Sequence, residues 1–238
     1  MSTDYTDGGA KVLPFYIVCD ESGSMGPYID TVNASLRELH QVLATDPVVS
    51  DKAMISIITF NDTAQVLLEL ERPDMLTSMP GCTSRGGTSY SAAFSQLKQA
   101  IDQDVTKLRQ RGLSVLRPVA FFMSDGAPTD PADWEEVHRQ VVDPANKRRP
   151  HILSFGVADA DARVIFNVAT PIDRLGSNHR YAWMQEQDGD PGTVLKEIIR
   201  NLAKTVISSV HSVESNDPTL IPPENIPGAR LIRLDEID

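Results

Sequence analysis

Hard oxygen donors recur at three separate places in this chain. Residues 19–25 read CDESGSM, which sets one carboxylate and two hydroxyls, Asp20, Ser22 and Ser24, at alternate positions. Residues 86–89 read GGTS and contribute Thr88; residues 124–126 read SDG and contribute Asp125. Two carboxylates and three hydroxyls are the donors a hard divalent cation takes. Mg²⁺ in particular keeps several waters and tolerates an incomplete protein shell, and Mn²⁺ or Ca²⁺ would accept the same oxygens. In an extended or turning segment, positions i, i+2 and i+4 project to one side. Gly23 leaves the backbone free to take a tight path between them. Glu21 falls between the alternating positions and drops out as a ligand.

Each stretch has a plainer meaning when taken alone. Asp and Ser after a strand commonly cap the next helix by accepting its free N–H groups. GGTS reads as a turn followed by a cap, and SDG as a turn after a strand. A cation site follows only if the fold brings all three stretches together.

The hydrophobic pattern predicts such a fold. Residues 13–19, LPFYIVC, form a continuous apolar run, the mark of a strand covered on both faces. Ile29, Val32, Leu36, Leu39, Val42 and Leu43 fall on one face of a helix over 27–46, with Pro27 in its first turn. Residues 53–60 and 64–70 read as a hairpin across Asn61-Asp62-Thr63, so the second strand is an antiparallel edge. An irregular loop over 71–87 precedes a helix from 89 to about 111. Further strands are expected at 118–124, 151–157 and 180–184. Further helices are expected from Trp134, at 160–169 and at 191–213. This alternation predicts an α/β fold with an open, doubly wound, mostly parallel sheet, one antiparallel edge strand and helices on both faces. In such sheets ligands bind beyond the carboxyl ends of the strands, where the strand order reverses. All three polar stretches occupy loops of that kind.

Composition narrows the function classes. A chain of 238 residues is long enough for one large α/β domain. The formal charge of −11 disfavours nonspecific nucleic-acid binding and anionic membrane surfaces. The basic stretch KRRP at 147–150 is short and follows a predicted helix, where cations suit the dipole, so no basic patch is expected. The two cysteines, Cys19 and Cys82, form no CxxC pair, which excludes a zinc ribbon and a disulfide framework and fits a reducing compartment. The polar leader of residues 1–10 has no secretory signal pattern, and no stretch approaches a membrane span. A cytoplasmic protein is expected. After residue 213 the composition turns Pro-rich and aperiodic, either a disordered tail or an extended segment laid on the domain.

With these residues in place the chain resembles the von Willebrand factor type A superfamily and its metal-ion-dependent adhesion site. The stretches YIVCDESGSM, GGTS and FFMSDGAPTD carry the resemblance, which covers about residues 11–213. Within the superfamily, the opening LPFYIVCDESGSM, the SIITFND hairpin and the SDGAPTD stretch resemble the bacterial TerY-type proteins linked to tellurite and stress resistance. The resemblance implies metal-ligand roles for Asp20, Ser22, Ser24, Thr88 and Asp125, some of them through water. It implies a binding module in which an acidic side chain of a partner reaches the cation. It also suggests TerD-like proteins, kinases and phosphatases as partners. Glu21, Asn61, Asp62, Arg85, Tyr90 and the 126–133 loop are candidates for setting specificity. Some relatives carry a cysteine-rich zinc module, which this chain lacks after Cys82.

Two other classes stay open at this point. A Mg²⁺ site could serve phosphoryl transfer or hydrolysis. Against it, there is no GxxxxGK[ST] loop and no DxDxT-like nucleophile, and the histidines His40, His138, His151, His179 and His211 lie apart. His40, His138 and His211 are expected at helix surfaces or boundaries, and Trp134 and Trp183 in packing. A non-enzyme is therefore expected. The third class is a scaffold whose cation only stiffens the loops.

Overall fold

The structure, a computed structural model, describes residues 9–130, 134–174, 177–214 and 220–233. Residues 131–133 of the predicted specificity loop, and parts of the leader and tail, lie outside the described residues. The chain begins with β1 (Lys11–Asp20), passes a 3-10 turn at Gly23–Tyr28, and continues as α1 (Ile29–Thr45) and α2 (Pro47–Lys52). Then come β2 (Ala53–Phe60), β3 (Ala64–Glu71), α3 (Tyr90–Gln110), the short β4 (Ser114–Val115) and β5 (Val119–Ser124). The second half holds α4 (Trp134–Val142), β6 (His151–Gly156), α5 (Ala162–Val168), β7 (Pro171–Arg174), β8 (Ser177–Arg180), β9 (Ala182–Gln185), α6 (Pro191–Glu214) and β10 (Ala229–Leu231).

The main sheet runs β10-β9-β6-β5-β1-β2-β3, with β4 beside β1. β1, β2, β5, β6 and β9 are parallel to their neighbours within this run, and β3 is the expected antiparallel edge. A second antiparallel strand, β10, closes the opposite edge against β9. Its sequence is only three residues long, too short for an alternating pattern to reveal it. The segment leading to it is held by buried Leu220 and Ile226, and buried Ile232 follows it.

Alternation along β1 divides the core in two. Phe15, Ile17 and Cys19 pack toward α1 and α6, while Tyr16 and Val18 pack toward α3 and α4. That is why β1 reads as an unbroken apolar run: both of its faces are covered. From β1 the chain moves first to β2 on one side and later to β5 on the other, so the strand order reverses between β1 and β5. Their register pairs Cys19 with Met123, which levels the carboxyl ends of the two strands.

Several local expectations change. Pro27 lies in the 3-10 turn, and α1 starts at Ile29. Asp46-Pro47 closes α1 but also opens α2, because the Asp46 carboxylate accepts from the amides of Val48 and Val49. Residues 171–180 make an unexpected hairpin, β7–β8, so the strand expected at 180–184 begins at Ala182. His138 is not a surface residue; it packs on Phe94 and its Nε2 bonds the Val168 carbonyl, and burial pushes its pKa down to about 4. Trp134 and Trp183 are both buried in packing.

Candidate metal centre

The three polar stretches meet beyond the carboxyl ends of β1 and β5. The Asp20 carboxylate accepts the Ser22 amide at 2.7 Å and the Ser124 hydroxyl at 2.6 Å. Ser22 and Ser24 hydroxyls lie 3.0 Å apart, and both reach Asp125 Oδ1, at 3.4 and 2.9 Å. Four of the five singled-out residues thus form one hydrogen-bonded cluster, in which the Ser22 amide joins Asp20 to the rest and Ser124 holds Asp20 from the other side. The exception is Thr88, which is buried beside the cluster but makes no hydroxyl bond to it; its Oγ1 lies 3.8 Å from where a Cβ on Gly126 would stand.

The competing cap readings separate at this resolution of detail. Ser22 stands at the N-cap of the 3-10 turn without a side-chain cap bond, and the N-cap of α1 is Tyr28. The hydroxyls of CDESGSM therefore serve the cluster and not a helix end. In GGTS the cap is Ser89, whose Oγ accepts the Ala92 amide at 3.1 Å, which leaves the Thr88 hydroxyl uncommitted.

The loops are held by main-chain lacing. Gly23 N–H donates to the Gly86 carbonyl at 3.0 Å, Arg85 N–H to the Glu21 carbonyl at 2.8 Å, and the Ser84 hydroxyl to the Ser22 carbonyl at 2.8 Å. Gly86 has φ +72°, a left-handed conformation that favours glycine, and a Cβ there would meet the Asp62 carboxylate. The Thr88 and Thr129 loops lock reciprocally: Thr88 N–H donates to Thr129 Oγ1 at 3.1 Å and Thr129 N–H to the Thr88 carbonyl at 2.9 Å. Behind them, Tyr90 stacks edge-on to Phe122 with centroids 4.8 Å apart and donates to the Gly126 carbonyl. Phe60 and Phe94 each lie 5.3 Å from Phe122, so the N-terminus of α3 and the end of β5 share one aromatic block. Truncating Phe122 to Ala would cost about 3–5 kcal/mol.

Sequence reasoning takes Asp130 only as part of the 126–133 specificity loop and does not single it out. It accepts the Ser91 amide at 2.7 Å, the Ser89 hydroxyl at 2.9 Å and the Tyr90 amide at 3.1 Å, tying the third loop to the start of α3. Burial acts to raise its pKa, but these hydrogen bonds outweigh it and hold the carboxyl below its ordinary value. The signal in the sequence was only an Asp in a turn. Among the specificity candidates, Glu21 is buried and accepts the Thr83 amide at 2.7 Å, Asn61 accepts within its own turn, and Tyr90 is fully buried. These three build the loops. Arg85 and Asp62 remain at the surface.

Burial sets the electrostatics of the two carboxylates. Desolvation pushes Asp20 up to about 6, against hydrogen bonds from Ser124 and Ser22, and the nearby Asp125 charge adds to the rise. Desolvation likewise raises Asp125, with a further contribution from Asp159. Asp125 Oδ2 is buried without a hydrogen-bond partner, an arrangement that costs roughly 1–3 kcal/mol or more for a charged group. Among the described residues no group of three or more His, Cys, Asp or Glu side chains is placed to hold a metal ion. A cation here would use two carboxylates, hydroxyls and water, a set that fits Mg²⁺ better than a soft metal.

Comparison with known proteins agrees with this architecture. Residues 15–127 match the sequence model of the von Willebrand factor type A domain. Among solved structures, a von Willebrand factor type A protein from Catenulispora acidiphila matches with a TM-score of 0.58 and 16% identity, over 83% of this chain and 43% of that one. The pilus adhesin SpaC from Lactobacillus rhamnosus GG matches with a TM-score of 0.61 and 12% identity, over 84% and 30%. Proximal thread matrix protein 1 from the mussel byssus gives 0.56 and 12%, over 82% and 49%. The chain spans less than half the length of each of these structures, and at such identities the likeness is one of fold. No curated protein matches the chain. Among the described residues no helix is long and apolar enough to cross a membrane. Residues 15–127, which include all five clustered or adjoining oxygen-donor residues, are thus similar in sequence to the von Willebrand factor type A domain.

Proposed function

We propose that Asp20, Ser22, Ser24, Thr88 and Asp125 hold a divalent cation, Mg²⁺ first and Mn²⁺ or Ca²⁺ as alternatives, and that the chain is a binding module and not a catalyst. The two carboxylates balance the charge of the ion and the hydroxyls add none, so the bound metal stays electrophilic. When present it would supply a Lewis-acidic position to which an Asp or Glu of a protein partner can coordinate in place of water. The observation that carries this reading is Asp125 Oδ2, a buried carboxylate oxygen with no partner beside a second, desolvated carboxylate.

The chain's own residues do the rest. Ser22 and Ser24 orient Asp125 through Oδ1, Ser124 orients Asp20 through Oδ2, and the Gly23–Gly86 and Thr88–Thr129 contacts fix how far apart the loops stand. Exposed Ser24, Arg85 and Asp62 at the rim face an incoming partner. The resemblance to the TerY-type proteins makes TerD-like proteins, kinases and phosphatases of a tellurite- or stress-resistance complex the first partners to test, in a cytoplasmic setting. Affinity capture from cells, with Mg²⁺ or with chelator, tests the module. Partners that are lost on chelation and on Thr88→Ala support it. Partners indifferent to both leave the cation as a stiffener of the loops and overturn the carboxylate contact.

A further inference from the structure

At the other end of the sheet the side chains are of opposite charge. Arg117 precedes β5 and Arg149 precedes β6, so both stand at the amino ends of these parallel strands. With Arg139 of α4 and Arg180 of β8 they line a cleft of about 490 Å³, in which Glu135 is the single carboxylate among the lining residues. In a chain with a formal charge of −11 that is a local inversion of sign. The expectation of no basic patch is overturned: KRRP supplies Arg149, and the fold adds the others from distant segments.

The arginines are fixed in place without being neutralised. Arg117 donates to the carbonyls of Arg149 and Pro150 at 3.1 and 3.2 Å, and Arg149 to those of Pro144 and Asn146 at 3.0 and 3.2 Å. Arg180 donates to the carbonyls of Asn167 and Ala169, at the end of α5, and its guanidinium also sits over the Phe166 ring. No ion pair joins Arg117, Arg149 or Arg180 to a carboxylate among the described residues; Arg139 pairs with Glu136. Main-chain carbonyls bear partial charge only, and each guanidinium has five N–H donors, so both charge and donors remain for a ligand. Burial, and after it the neighbouring Arg149 charge, pushes Arg117 down to about 10.

We infer that this cleft binds a phosphoryl group, with Arg117, Arg149 and Arg180 as its main donors and Arg139 at the rim. A doubly charged, multi-oxygen anion matches several planar, prepositioned guanidiniums better than a single carboxylate does. The site is separate from the cation cluster, which lies beyond the opposite ends of the strands, and it does not depend on the function proposed for that cluster.

The test is calorimetric titration of the full chain in chelator, which removes any phosphate–metal contact elsewhere. The probes are inorganic phosphate, a nucleoside monophosphate, and a phosphothreonine peptide with its unphosphorylated form. Trp134, which lines the cleft, gives a parallel fluorescence readout. Saturable binding is expected, weakened about tenfold or more by Arg149→Gln or Arg180→Gln and about threefold by the exposed Arg139→Gln. If all phosphoryl probes bind alike, the ligand is a free phosphoryl compound; if the phosphopeptide alone binds tightly, it is a modified protein. Either supports the site. No binding by any probe, or binding that folded Arg139→Gln and Arg149→Gln proteins retain in full, overturns it.

Discussion

At the carboxyl ends of β1 and β5, carboxylates and hydroxyls hydrogen-bond to one another; at the amino ends of β5 and β6, arginines bond to main-chain carbonyls. The first region comes from short contiguous stretches, and within one of them Asp20, Ser22 and Ser24 lie four residues apart end to end. The second draws single residues from positions 117, 139, 149 and 180. Both hold like charges near one another at a desolvation cost, and each leaves donors or acceptors unspent. The lesson is that like-charged side chains can be held close together in two ways. Side chains can position each other, as in the cation cluster, or the backbone can position them, as in the arginine cleft.

This contrast yields graded tests. The largest effect is expected from Asp20→Asn, which keeps the shape of the buried side chain but removes a charge from the cluster. Divalent affinity should fall by about 100-fold, read by calorimetry, with circular dichroism confirming the fold. Removing a neutral donor should do less: Thr88→Val is expected to lower Mg²⁺ affinity about tenfold without altering phosphate binding at the other edge. Loss of phosphate binding in that variant would show that the two edges are not separate.

The pH dependence should also distinguish the regions. In the metal-free protein the raised Asp20 pKa means that folding takes up a proton. Its contribution to stability is therefore full below its ordinary value of 3.8 and is lost as pH rises through about 6. A cation binds the ionised form, so the stabilisation given by Mg²⁺ should grow as pH rises through about 6. Thermal melts with and without Mg²⁺ between pH 5 and 7.5 check this, and a Mg²⁺ effect that is flat with pH would contradict the role of Asp20. The smallest effect is the cross-check. Arg149→Gln should leave Mg²⁺ affinity within about twofold, since distant sites without shared partners act independently.

The same contrast explains what could be read from the sequence. The doubly wound fold and the oxygen cluster were legible because their signals are local: an apolar run ending at Asp20, glycines before Thr88, a strand ending at Asp125. The arginine cleft was not, because nothing in the spacing of Arg117 and Arg180 says that a hairpin at β7–β8 will bring the second toward the helix end beside the first. His138 was misplaced for a related reason. It sits on a helix with charged neighbours, and only the fold brings the Val168 carbonyl at the end of α5 to its ring nitrogen. Asp130 lies between these cases; it is in the right loop, but its bonds to α3 depend on how that loop returns.

The most direct test of the cation site is calorimetric titration of the chelator-stripped chain with MgCl₂ at pH 7.5. One saturable site per chain is expected, weakened in Asp20→Asn and Thr88→Val. A flat titration with Mg²⁺, and again with Mn²⁺ and Ca²⁺, on protein that is folded by circular dichroism would contradict it.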